Sequence, residues 1–260
     1  MTTPTFAVYA VRYATRGARR GENFYGGDPH DGPMPMDYFV WAAVSDHDTL
    51  VVDLGCTRQV AERRDRTYLR SPADGLDALG IDVGAVRHVV LTHLHYDHAG
   101  NVPLFPAATF VLQQDEMAFW TGRHAGRPLF RGIVEPEDVA ALVSRNFDGR
   151  VRFVDGDAEV IPGITVHRVG GHAHGLQAIR VATAGAPVIL ASDATHFYAN
   201  LEEDRPFSFV NDLPASYDAF DRLRELAGPS GVIVPGHDPL VMERFPPAGP
   251  GLDGVAVRIA

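Results

Sequence analysis

At 260 residues and 28.2 kDa, with 45% apolar residues, the chain can bury a sizeable core and reads as one domain over residues 1–260. A net charge of −10 argues against a nucleic-acid-binding surface, which needs clustered basic side chains; the one basic cluster, Arg16 to Arg20, reads as a solvated loop. No apolar run approaches the roughly 18 residues of a membrane span, and Met1 to Ala10 lacks a basic start followed by an apolar signal segment. The single cysteine, Cys56, rules out an internal disulfide, and a cytoplasmic location is expected.

Phe6 to Tyr13 alternates loosely and reads as an edge strand. Residues 21–37 are rich in Gly, Pro and Asp and read as a long loop. Tyr38 to Val44 and Thr49 to Val52 read as a hairpin around Asp46, His47 and Asp48. Ser71, Pro72 and Asp74 make a helix start, with a cap, a proline in the first turn and an acidic residue behind it; Gly80 stops that helix. Val89 to Leu91 reads as a short buried strand running into His93-Leu94-His95-Tyr96-Asp97-His98, taken as a tight strand-to-helix turn. Glu135 to Arg145 has helical spacing through Val139, Leu142 and Val143. Three more apolar runs each lead to a polar residue: Ile164 to Val166 towards His172, Val188 to Ala191 towards Asp193, and Val232 to Val234 towards His237. Tyr217, Phe220, Leu223 and Leu226 mark one face of a helix ended by Gly228. Strands separated by single helices indicate a layered α/β domain.

Three imidazoles and a carboxylate within six residues are good ligands for zinc and similar divalent ions. A lone His or Asp after a strand is usually a satisfied polar group. Four strands that each deliver such a residue just past one end describe one convergent site on a rigid scaffold. Gly170, Gly171 and Gly236 allow the turns this delivery needs.

With these motifs the chain resembles the metallo-β-lactamase-fold hydrolases, from Val51-Val52-Asp53-Leu54-Gly55 to Gly236-His237-Asp238. The resemblance implies an αββα sandwich with metals at one edge of the sheets. It implies His93, His95 and His172 on one metal, Asp97, His98 and His237 on a second, and Asp193 bridging both. Two divalent ions per chain are expected, zinc first among them. Cys56 stands outside the ligand positions, unlike the cysteine ligand of the antibiotic-degrading branch. His95 stands where the flavodiiron relatives have Glu, which favours hydrolysis over redox chemistry. Asp53 is a candidate to orient an imidazole, while Asp238 is expected to lie in solvent.

Among these hydrolases the spacing is similar to that of the N-acyl-homoserine lactonases. The implied reaction is attack of a metal-bridging hydroxide on the carbonyl of an N-acyl-homoserine lactone or another small lactone, a quorum-quenching activity in the first case, with Asp97 shuttling a proton. His174 and Leu176 depart from that group's pattern, which has proline and histidine there. His196 stands three residues past Asp193, where that group often has a substrate-contacting tyrosine, so His196 is the candidate auxiliary acid and Tyr198 its reserve. A glyoxalase II-like thioesterase or other carboxylic ester hydrolase is the alternative enzyme, although the tail Pro246 to Pro250 lacks the basic residues that grip glutathione. A non-catalytic metal-binding sensor is the alternative of another class. The expected partner is a small lactone or ester, with no nucleic acid and no membrane; a homodimer is allowed. Met34, Met36 and Tyr38, with the segment Phe119 to Phe130, are expected to line an apolar pocket beside the metals. His30, His47, His88, His124 and His167 have no spacing argument and are read as structural or exposed.

Overall fold

The computed structural model describes residues 3–30 and 32–260. Met1 and Thr2, where the N-terminal reading begins, and Asp31, within the expected 21–37 loop, lie outside the described residues.

The strands are β1 (Ala7–Arg16), β2 (Met36–Val44), β3 (Thr49–Val52), β4 (Thr67–Tyr68), β5 (His88–Val90), β6 (Thr109–Gln113) and β7 (Val151–Val154), followed by β8 (Ala158–Ile161), β9 (Ile164–Arg168), β10 (Gln177–Val181), β11 (Val188–Ser192), β12 (Val232–Pro235) and β13 (Ala256–Arg258). The first seven and β13 form an eight-stranded sheet in the order β13-β1-β2-β3-β5-β6-β7, with β4 paired to β1. The others form a five-stranded sheet in the order β12-β11-β10-β9-β8.

Alternation of side chains along each strand sorts the apolar residues into three layers. In β5 and its exit, Val90 faces the other sheet while Val89 and Leu91 face the helices. In β11, Val188 and Leu190 join Val90 and Trp41 between the sheets, and Ile189 and Ala191 pack on Leu223 of the helix Leu213–Ala227. Helix, sheet, sheet and helix therefore stack as an αββα sandwich.

The hairpin forms as expected, with Trp41 opposite Val52 and Val44 opposite Thr49. Ser71 caps the helix Pro72–Asp77 by accepting from the Ala73 N–H, and the helices Pro136–Phe147 and Leu213–Ala227 form, burying Val139 and Leu142, and Phe220 and Leu223, while Tyr217 of the expected face is exposed. β1 is not an edge strand. It lies between β13 and β2, because three residues from the far end of the chain pair with Tyr9, Ala10 and Val11. The 21–37 loop is shorter than expected, since Met36 and Asp37 already belong to β2. No described helix is long and apolar enough to cross a membrane.

Candidate metal centre

The four ligand-bearing segments leave their strands at one edge of the sandwich. Beyond β5 the backbone makes a single turn, in which the His98 and Ala99 N–H groups donate to the His95 carbonyl at 3.0 and 3.2 Å. Only a one-turn 3-10 helix, Val102–Leu104, follows, not the α-helix expected. Asn101 has a left-handed φ of 60°, which breaks the ligand turn from the 3-10 turn that follows. After β9, Gly171 turns with φ 80° to present His172. After β12, Gly236 passes so close to the β11 exit that a Cβ there would lie 2.7 Å from Asp193 Oδ1; only glycine fits beside that carboxylate.

His93, His95, Asp97, His98, His172, Asp193 and His237 are brought together, and each is buried. Their ligating atoms fall into two groups. His93, His95, His172 and Asp193 form one, and Asp97, His98 and His237 the other, each group's atoms lying within 4.8 Å of one another. Asp193 spans both. Its Oδ2 lies 3.2 Å from His172 Nε2 and 3.8 Å from His93 Nε2. Its Oδ1 lies 3.1 Å from His237 Nε2 and 3.4 Å from His98 Nε2. Asp97 stands 3.8 Å from the Nε2 atoms of both His98 and His237.

Hydrogen bonds behind the rings fix their protons. His172 Nδ1 meets the Phe209 carbonyl at 3.0 Å and His237 Nδ1 the Asp37 carbonyl at 2.9 Å. A carbonyl only accepts, so each Nδ1 carries the proton and each Nε2 presents a lone pair. His98 Nδ1 donates to Asp53 Oδ2 at 2.7 Å. Thr92 Oγ1 donates to the same oxygen at 2.8 Å, which leaves it to accept from His93 Nδ1 at 3.0 Å. His93, His172 and His237 therefore turn bare nitrogens towards one carboxylate, and His98 directs its Nε2 at the same group. Lone pairs facing lone pairs repel unless a cation stands between them. His93 Nε2, His98 Nε2 and Asp193 Oδ1 are buried without a hydrogen-bond partner among the described residues. This donor set, nitrogens and carboxylate oxygens with their outer atoms already engaged, fits two divalent cations.

The electrostatics agree. Burial pushes the imidazoles of His93 and His95 well below their usual range, and His172 down to about 3, so they stay in the neutral form that ligates. Burial acts on His98 in the same direction, but Asp193, Asp97 and Asp53 outweigh it and raise that imidazole. The three carboxylates thus favour a positive charge at His98. Burial raises Asp193, yet His196, His237 and His98 outweigh it and hold the carboxylate ionised.

Residues 34–237 match the metallo-beta-lactamase superfamily. The chain belongs to that superfamily. Within the superfamily it is 30% identical over 176 residues to the N-acyl homoserine lactonase AttM of Rhizobium johnstonii, covering 66% of this chain and 65% of that protein. It is 31% identical over 176 residues to the AttM lactonase of Azorhizobium caulinodans, covering 62% of each. In both cases the matched part is less than two thirds of the relative's length. Among solved structures, an N-acyl homoserine lactone hydrolase with N-hexanoyl-L-homoserine bound at its catalytic metal centre superposes with a TM-score of 0.77 at 18% identity, over 94% of this chain and 98% of that one. This metallo-beta-lactamase chain shares their fold.

Beside the ligand groups the metallo-beta-lactamase chain has a cavity of about 130 Å³. Met36 and Tyr38 line it, as expected, but Met34 and the Phe119–Phe130 segment do not. Phe119 and Phe130 instead pack on each other, 5.0 Å between ring centroids. Phe207 and Phe209 take their place. Their segment is polar and proline-broken in sequence and gave no pocket signal. Arg16 also lines the cavity, and so does not belong to a solvated loop.

His196 reaches the site: its Nε2 lies 3.1 Å from Asp193 Oδ2, and its ring stacks on Phe207 at 3.6 Å. Tyr198 does not line the cavity. Its ring packs in the layer between the sheets beneath the Arg244 guanidinium, because the chain turns into the helix Tyr198–Glu202 directly after Phe197. His174, at the departed proline position, stacks on Phe119 away from the ligand groups. Asp238 is 4% exposed rather than in solvent. Its two oxygens accept from the Tyr198 and Leu240 N–H groups at 2.9 Å each, tying the loops after β11 and β12 together. Glu116, fully buried, had no sequence signal. It accepts from the Leu94 N–H and the Trp120 indole at 2.9 and 2.7 Å and from the Gly175 N–H at 2.7 Å, clamping the His93–His95 loop to the His172 loop.

Proposed function

We propose that this chain is a dinuclear metal-dependent hydrolase that opens a lactone, an N-acyl-homoserine lactone or another small lactone. His93, His95 and His172 would hold one divalent ion and Asp97, His98 and His237 the other, with Asp193 serving both; zinc is the expected ion, given imidazole and carboxylate donors. One observation carries the reading: the two oxygens of Asp193 face separate histidine groups at 3.2 and 3.1 Å. The lactonase names of the relatives aligned over most of the chain support the substrate class.

Two bound divalent ions would supply Lewis acidity at the substrate carbonyl and a nucleophilic water at neutral pH. The chain's own groups do the rest. The carbonyls of Phe209 and Asp37 and the carboxylate of Asp53 hold the ligand rings in one tautomer. Phe207 and Phe209 shield one wall from water. Asp97, on the cavity wall, takes up and delivers a proton beside the scissile bond. His196 lies on the same wall and serves as the auxiliary donor to the ring oxygen. Tyr38 is a second phenolic donor there. Burial, with Asp97 nearby, pushes its hydroxyl up to about 12, so it keeps its proton at neutral pH. A single buried cysteine accords with a cytoplasmic location.

A panel of lactones, thioesters and simple esters, assayed with metal-replete enzyme, tests the reading. Turnover is expected for lactones, abolished by chelation and restored by zinc. Faster hydrolysis of thioesters than of every lactone would move the assignment to a thioesterase, and metal binding without turnover of any of the three to a sensor.

A further inference from the structure

Arg16 ends β1 and Arg66 directly precedes β4, both beside the end of the β1–β4 ladder. In that ladder Ala14 pairs with Tyr68 and Thr15 with Thr67. Both side chains line the cavity that holds the candidate ligands. Among the described residues neither guanidinium has a carboxylate at ion-pair distance. Arg12, Arg20 and Arg64 do, on Asp37, Asp28 and Glu135 at 2.9, 3.1 and 2.7 Å. Among the described residues, the only carboxylates on the cavity wall are Asp97 and Asp193, both within the ligand groups.

The two guanidinium groups are also held in place. Arg66 donates from Nε to the Tyr96 hydroxyl at 3.0 Å and from Nη1 to the Arg64 carbonyl at 2.7 Å. Arg16 donates from Nε to Met36 Sδ at 3.2 Å. Nη2 of Arg66 and both terminal nitrogens of Arg16 have no hydrogen-bond partner among the described residues, while the Arg66 guanidinium lies 5.7 and 5.9 Å from the Tyr38 and Tyr96 ring centroids. Free N–H groups on two anchored forks, in a cavity of a chain with net charge −10, are a receptor for an oxyanion, since guanidinium matches planar carboxylate geometry bidentately.

We propose that Arg16 and Arg66 bind a carboxylate carried by the substrate, so that the chain acts on a small acid-bearing lactone. The assignment rests on the lactone-hydrolase reading and narrows its substrate class. The cavity, about 130 Å³, lies below the roughly 300 Å³ at which ligand pockets usually begin, which suits a compact acidic ring better than a long acyl chain.

The test uses a matched pair, the γ-carboxylate of γ-butyrolactone and its uncharged carboxamide, with metal-replete wild type, Arg16→Gln, Arg66→Gln and Arg66→Lys. A charged hydrogen-bonded pair predicts a kcat/KM ratio of acid over amide of roughly 10–100 in wild type. That ratio should fall to within about twofold of one in both Gln variants and keep an intermediate value in Arg66→Lys. Calorimetric titration with glutarate and its monoamide reads the same preference without turnover. If no lactone is opened but glutarate binds wild type at least about tenfold more tightly than the monoamide, and the Gln variants lose that preference, the carboxylate receptor stands and the lactonase reading falls. If lactones are opened with acid and amide equivalent, or the Gln variants slow both substrates equally, the receptor is overturned while the lactonase reading stands. Neither turnover nor preference overturns both.

Discussion

His98 Nδ1 lies 2.7 Å from Asp53 Oδ2 at the floor of the site, joining the ligand turn to a strand end 45 residues earlier. Asp53 reaches that position from a left-handed backbone with φ 59°, a conformation that L residues other than Gly, Asn and Asp seldom adopt. A carboxylate behind a ligating imidazole fixes its tautomer and raises its basicity. Asp53→Asn keeps the backbone preference and removes the charge. Metal affinity of the second group should fall about 10–100-fold, measured by competition with a chromogenic chelator. Unchanged affinity would reduce Asp53 to a turn residue.

Glu116 is the corresponding clamp for the first group. Burial raises its carboxyl, and donors from Leu94, Gly175 and Trp120 counter that rise. A Gln amide at this position would set N–H against N–H on one side. Glu116→Gln should cost roughly 3 kcal/mol and lower Tm by roughly 6–12 °C, read by thermal unfolding under circular dichroism. A Tm within about 2 °C of wild type would contradict the clamp.

His196 and Tyr38 offer two donors to one cavity, and kinetics separates them. A positioned acid contributes about 10²–10⁴-fold. His196→Ala should lower kcat by about that factor with KM nearly unchanged and metal content intact. Tyr38→Phe should lower kcat less, by about tenfold, and Tyr198→Phe should leave it within about twofold. Proton release during lactone opening measures all three. If His196→Ala keeps wild-type kcat and Tyr38→Phe does not, the donor is Tyr38.

Asp138, on the helix Pro136–Phe147, tests the electrostatics away from the site. Burial, with Glu135 and Glu137 nearby, pushes its carboxyl up to about 7. A raised folded-state pKa means that the folded chain prefers the protonated acid. Its contribution is whole below the unfolded carboxyl value, about 4, and is lost as pH rises through about 7. Asp138→Asn should therefore raise Tm at pH 8 by roughly 2–4 °C, with the gain shrinking towards pH 4. A gain independent of pH would contradict the assignment.

The residues that carry the candidate site were legible because their signal is local. A polar residue past each apolar run, four times over, needs no tertiary information. The hairpin, the Ser71 cap and the helix ended by Gly228 were legible for the same reason. What the sequence hid depends on pairing across long separations. β1 reads as an edge because its partner β13 is three residues long and lies more than two hundred residues away. Asp238 reads as a solvent residue because its partners are two backbone N–H groups of nearby loops. Phe207 and Phe209 lie in an irregular stretch without periodicity, and Arg16 reads as part of a basic surface cluster although it ends β1 and lines the cavity. Met34 and Phe130, apolar residues in loops, were read as pocket walls but pack against the helix-side core.

The most direct measurement is metal stoichiometry by elemental analysis of purified wild type and Asp193→Ala, each saturated with zinc and desalted. The two oxygens of Asp193 face both histidine groups, so on the proposed reading wild type should retain about two ions per chain and the variant should lose affinity at both positions together. Two retained ions in Asp193→Ala, or none in wild type, would contradict the bridged dinuclear centre.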